Sequence, residues 1–131
     1  MKHTLLFLLL SSTIGCSAVR PQKMVTSCDN RSKQEIMTRI SSLVIGEKMK
    51  ITTINDYIGL IEATRVESGN VIYSWQFIVQ PGSIDAYARY SDNGGEPVDI
   101  EDDPPQRLKW YWNVRRGVEE LCGQQVRFVG G

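Results

Sequence analysis

Histidine is almost missing from this chain: His3 is the one imidazole in 131 residues. No apolar run reaches the roughly 18 residues that a membrane-spanning helix needs, so the sequence predicts no helical membrane span. Neither sign of charge is in excess, since 15 Lys+Arg balance 15 Asp+Glu. A nucleic-acid binder that works through a broad basic surface is therefore not expected. Cysteine is scarce, at positions 16, 28 and 122, and no internal repeat or low-complexity tract is visible. What remains, 41% apolar and 23% charged residues, is the balance of an ordinary globular chain. At this length it holds one domain plus a targeting segment.

The N-terminus supplies that segment. Lys2 and His3 precede an apolar stretch over 4–10 with five leucines and Phe7, and mostly small residues follow at 11–15. A basic start, a short apolar core and a small-residue exit make a secretory signal. The exit, Ser12-Thr13-Ile14-Gly15-Cys16, resembles the lipobox of bacterial lipoproteins. Thr13 stands where that pattern usually has leucine, and Ile14 is bulkier than its usual Ala or Ser. The resemblance covers residues 1–16 and implies cleavage before Cys16, acylation of that cysteine with palmitate-type chains, and anchoring in a membrane. It also implies that Ser17, rather than Asp, directs the protein to the outer membrane in enteric-like bacteria. An ordinary cut after Ala18, which discards Cys16, is the alternative.

Export has two chemical consequences. Removing 1–15 leaves 116 residues with 14 basic and 15 acidic side chains and no histidine. Ser-His-Asp and Cys-His nucleophilic sites, the usual zinc and facial-triad iron sites, and an imidazole pH switch are all excluded. Cys28 and Cys122 are left as one possible disulfide pair in an oxidising periplasm. Closing a loop of that length is worth about 4–5 kcal/mol in chain entropy. Two buried free thiols are the other possibility.

The predicted organisation is a signal peptide over 1–15, a lipidated tether over 16–31, and a single domain over 32–131. Ser32-Lys33-Gln34-Glu35 reads as a capping box, followed by Ile36, Met37, Ile40, Leu43 and Val44 at helical spacing and by Gly46 as a stop. Glu35 and Arg39 are placed to pair across one turn. Residues 57–67 and 71–79 read as a hairpin around Ser68-Gly69-Asn70, with Val71, Tyr73, Trp75, Phe77 and Val79 on the core face. Residues 83–90 are ambiguous between strand and short helix, and Ala86 and Ala88 favour helix. Six acids and no base lie between Asp92 and Asp103. The spacing does not fit an EF-hand calcium loop, so a solvated acidic loop is expected. Asp103-Pro104-Pro105-Gln106 reads as the cap of a second helix with a stripe of Tyr111, Val114, Val118 and Leu121, closed by Gly123. Residues 125–129 read as a last strand. The expected fold is α+β, in the order α-β-β-irregular-α-β, with two amphipathic helices packed on one face of a small antiparallel sheet.

No motif names a reaction or a cofactor, and no small-molecule substrate is evident. The carboxylates of Asp99, Glu101, Asp102 and Asp103 lack any sign of the split environments that an acid/base pair requires. A non-enzymatic domain is expected. Two surfaces are candidates for binding a partner. One is Trp112, Arg115 and Arg116 on a helix face that the core stripe does not use, residue types common at interface hot spots. Against it stands the bland alternative of arginine stems covering a half-buried tryptophan. The other is the acidic loop with Asp99, Asp102 and Asp103. The functional expectation is an envelope lipoprotein that binds another envelope protein, as an accessory subunit of a secretion, conjugation or envelope complex. An inhibitor or immunity protein against a lysozyme or toxin, inserting the 92–103 loop into a cleft, is the alternative.

Overall fold

The computed structural model describes residues 22–67, 70–100 and 104–130. The signal peptide, Cys16, Asp102 and Asp103 lie outside the described residues. The order of elements is β1 (Lys23–Cys28), α1 (Lys33–Gly46), β2 (Lys50–Asn55), β3 (Leu60–Glu67), β4 (Val71–Gln80), β5 (Gly82–Ser91), β6 (Val98–Asp99), α2 (Lys109–Cys122) and β7 (Arg127–Val129). The seven strands form one antiparallel sheet in the order β2-β3-β4-β5-β1-β7, with β6 paired to β5.

This overturns the expected order α-β-β-irregular-α-β and its small sheet. A strand precedes the first helix, and residues 23–28, within the expected 16–31 tether, form β1 in the interior of the sheet between β5 and β7. Residues 83–90 are strand, not helix. The reason lies in what they face. Ala86 pairs with Phe77 and Ala88 with Trp75, and Ala63 lies against Trp75 from the other side. The alanines are small because the neighbouring rings are large, and the period-two burial of Ile84, Ala86 and Ala88 follows. β2 has little burial to announce it, being an exposed edge strand with a bulge between Ile51 and Thr53.

The helices cover the face of the sheet that carries Met24, Ile61, Trp75, Phe77 and Ile84, all at most 2% exposed. Ser32 caps α1 by accepting from the Glu35 amide at 3.2 Å. The Glu35 carboxylate pairs with Arg31 at 2.6 Å rather than with Arg39. Ile36, Met37, Ile40 and Val44 are buried, and Leu43 packs where Gly117 of α2 leaves room, since a Cβ there would meet Leu43. Trp75 is the centre of the core, stacked on Phe77 and Tyr111 with ring centroids 5.1 and 5.4 Å away and edge-on to Trp110 at 6.0 Å.

The cap expected at 103–106 is displaced. α2 begins at Lys109 after Leu108, with no side-chain cap. Pro104 is buried, and the Pro105 carbonyl accepts from the Leu108 amide at 3.1 Å, so 104–108 is a turn. Gly123 does end the helix, in the left-handed conformation at φ 66°. Cys28 at the end of β1 and Cys122 at the end of α2 are held at disulfide distance, with Cα atoms 4.6 Å apart. Asn30 and Arg31 donate to the Leu121 carbonyl at the same junction, at 3.3 and 3.4 Å, and so cap the end of α2.

Candidate functional site

The two ends of the sheet differ. At one end, the start of β4, the end of β5, β6 and the 104–108 turn enclose an open cleft of about 420 Å³, within the usual size of binding sites. Its walls are mainly apolar, from Tyr73, Tyr90, Val98, Ile100 and Leu108, with Asp92, Asp99 and Arg107 as charges. The period-two pattern of β4 and β5 aims Tyr73 and Tyr90 to this face, where they are directly paired. Trp110 stacks on Tyr73 at 4.7 Å and fixes that wall from α2.

Of the sequence candidates, Asp102 and Asp103 lie outside the described residues, Asp99 lies in the cleft wall, and Trp112, Arg115 and Arg116 lie on α2. Asp99 is part of the cleft wall, and both of its oxygens are engaged. Oδ1 accepts from Arg89 Nε at 2.7 Å and Oδ2 from the Gln22 amide at 3.1 Å. The expected acidic loop is thus partly sheet: Val98 and Asp99 pair with Tyr90 and Arg89, and the Ile100 amide donates to the Ala88 carbonyl at 2.8 Å. Only 92–97 is a described loop, tightened by a bond from the Gly95 amide to the Asp92 carbonyl.

Trp112 is half-buried, and its Nε1 donates to the Pro105 carbonyl at 3.1 Å. The Arg115 guanidinium lies over the Trp112 and Phe128 rings at 4.9 and 5.1 Å, bonds Tyr111 Oη, and faces Glu119 at 3.7 Å. Arg116 is exposed, its guanidinium 5.5 Å from the Trp112 ring centroid, and donates to Gln106 Oε1 at 3.1 Å. Trp112 and Arg116 therefore clamp Pro105 and Gln106 in the turn that forms one wall of the cleft, and Arg115 packs on Trp112. Their contacts are those of arginine stems packed on a tryptophan.

A third surface lies at the opposite end, in the 55–59 turn between β2 and β3. Asn55 Oδ1 accepts from the amides of Tyr57 and Ile58 at 3.0 and 3.3 Å, an Asx turn. The Gly59 amide bonds the Asn55 carbonyl at 2.9 Å, and the Gly59 carbonyl accepts from the Val79 amide at 2.8 Å. Lys33 Nζ holds the Tyr57 carbonyl at 3.0 Å. Gly59 has φ 76°, and a Cβ there would collide with the Val79 carbonyl oxygen, so glycine is required. This fixed turn presents Tyr57 at 91% exposure beside Ile54 and Ile58, each about half exposed. Residues 57–59, expected as the start of the 57–67 strand, are turn instead; the signal that marks them is Asn55-Asp56 and Gly59, turn chemistry that encloses two large apolar residues a solvated turn does not need.

No family model matches this chain, and no curated protein or solved structure matches it.

Proposed function

We propose that this chain is a small lipoprotein of the bacterial envelope, anchored through Cys16 in the outer membrane, with a non-enzymatic domain that binds another envelope protein. Its place is that of an accessory subunit of a secretion, conjugation or envelope complex. The anchor rests on the signal-like N-terminus and on Gly15-Cys16. No described helix is long and apolar enough to cross a membrane.

The observation that carries the binding role is the 55–59 turn. Large apolar side chains left in water cost hydration free energy without contributing to the core. Tyr57, Ile54 and Ile58 are held that way by five hydrogen bonds, so the turn loses little freedom on docking. Tyrosine anchors of this kind dominate binding energies. A second reading, an inhibitor or immunity protein, is served by the same turn inserted into an enzyme cleft. The 92–103 segment suits insertion less, because residues 98–100 are tied to β5.

Tyr57→Ala with Ile58→Ser is the test. The double variant should melt like the wild type and lose the protein partner that co-purifies from envelope fractions. Loss of inhibition of a muramidase or toxin, instead of loss of a co-purifying subunit, would select the second reading.

A further inference from the structure

β2 (Lys50–Asn55) ends the sheet on one side: β3 pairs with it, and no other described strand does. Its outer edge is open to a further strand. The bulge between Ile51 and Thr53 shifts the alternation. Ile51 pairs with Ala63 and Ile54 with Ile61, so both isoleucines lie on the helix-covered side although they are three positions apart. α1 packs over β2, β3 and β4. Leu43 of α1 faces Gly117 of α2, and Ile45 is about 200° further round the helix, on the flank toward the β2 edge. Ile45 is 59% exposed and Ile54 53%. Ile45 stands near the start of β2, since only residues 47–49 separate α1 from Lys50, and Ile54 stands near its end. Charge is divided the same way. Lys48 and Lys50 at the start, and Asp56 just past the end, are exposed and have no ion pair among the described residues.

We propose that a second copy of this chain adds to this edge, β2 against β2, antiparallel about a twofold axis between Thr52 and Thr53. In this register Ile51 of each copy is opposite Ile54 of the other, and Lys50 is opposite Asn55. Residues opposed across antiparallel strands share a side, and Ile51 and Ile54 share one only because of the bulge. Asp56 of one copy comes alongside Met49 of the other, between Lys48 and Lys50, so the unpaired charges of the two ends neutralise each other. Ile54 of the second copy covers the bare flank at Ile45. An added strand must bring apolar side chains to one end of β2 and an acid with them, and a second copy carries both in its own β2 and Asp56. The interface is isologous, each half being the complement of itself. Tyr57 and Ile58 lie outside the paired segment, one turn at each end of the seam. The dimer therefore carries two copies of the surface proposed above and does not depend on what that surface binds.

The test mixes two full-length chains, Lys50→Cys and Asn55→Cys, one of them isotope-labelled, under mild oxidation. Mass spectrometry should find the 50–55 link between chains well above the 50–50 and 55–55 links, because equivalent residues 50 lie five positions apart along the seam, about 17 Å. Sedimentation equilibrium of the wild-type chain should show monomer and dimer with a Kd on the order of 10–100 μM, since a seam of two six-residue strands is at the small end of interfaces. Ile54→Lys, with folding checked by its melting curve, should weaken the dimer by about tenfold or more, because each dimer loses the contact twice. Asp56→Lys should weaken it about fivefold, and adding Lys48→Glu with Lys50→Glu should restore it. A chain that stays monomeric up to about 1 mM, or a 50–50 link as strong as the 50–55 link, overturns the proposal. A dimer untouched by Ile54→Lys overturns it as well, and a charge reversal without effect overturns the Asp56 pairing.

Discussion

Replacing both Cys28 and Cys122 with alanine should cost this domain a large part of its stability. The pair joins residues 94 apart in sequence. In the chain-entropy model, releasing a closed loop of that size returns about 16 cal/mol/K to the unfolded chain, or about 4.7 kcal/mol at 25 °C. A domain of this size is held by roughly 5–15 kcal/mol in all. The melting entropy of roughly 110 residues is about 230 cal/mol/K, so the midpoint should fall by about 20 °C. The native state should change little, because Asn30 and Arg31 still hold the Leu121 carbonyl at the same junction. The effect therefore belongs to the unfolded state, and it has a second signature. The urea m-value should rise in the double variant, because an unbridged chain exposes more surface on unfolding. Urea titrations of wild type, wild type in reductant and the double variant measure both quantities. A stability difference under about 1 kcal/mol, with an unchanged m-value, would refute the chain-entropy account of the bridge. Free alkylation of both thiols in the folded protein would refute the bridge itself.

Three further outcomes are expected. Gly59→Ala should lower stability by roughly 2 kcal/mol or more in urea titration, since φ 76° is strained for alanine and the Cβ meets the Val79 carbonyl; an unchanged midpoint contradicts the close approach. Trp112→Ala should cost about 2 kcal/mol by thermal melting, less than a fully buried tryptophan, and should loosen the 104–108 turn by removing the bond to Pro105. A Trp112→Ala variant that melts like the wild type would show that the clamp does not hold the turn. Cys16→Ser should abolish incorporation of radiolabelled palmitate and leave unprocessed precursor; absence of label in the wild type, with Val19 as mature N-terminus, would remove the lipid anchor.

What the sequence discloses depends on where burial is one-sided. The stripe of α1 and the alternation of β4 are legible because each buries one face and wets the other. Ala86 and Ala88 mislead for the opposite reason. Their helical propensity is a local quantity, whereas their size answers to Phe77 and Trp75 on a neighbouring strand. β1 is short, with three buried residues, and carries no turn signal of its own, so the chain before α1 reads as tether. The proline pair at 104–105 has the composition of a helix start, yet Pro105 serves Trp112 and Leu108 as an acceptor, and α2 begins later. For the candidate site, Asp99, Trp112, Arg115 and Arg116 are all visible as unusual residues in sequence. Asp99 reaches the cleft wall through the pairing of β5 with β6, and Trp112 braces that wall through its bond to Pro105, neither of which a local pattern encodes. The 55–59 turn escapes notice because apolar residues beside a strand read as its extension.

If the 55–59 turn is the partner-binding surface, a comparison of three proteins will show it. Full-length wild type, Tyr57→Ala with Ile58→Ser, and Arg39→Ala on the exposed side of α1 are each used to retain protein from envelope extracts, after melting curves establish equal folding. Truncating an interface hot spot costs about 2 kcal/mol or more, so affinity at the turn should fall by about thirtyfold. The wild type and Arg39→Ala should retain the same stoichiometric partner, and the turn variant should lose it. A folded turn variant that retains that partner as well as the wild type does would contradict the claim.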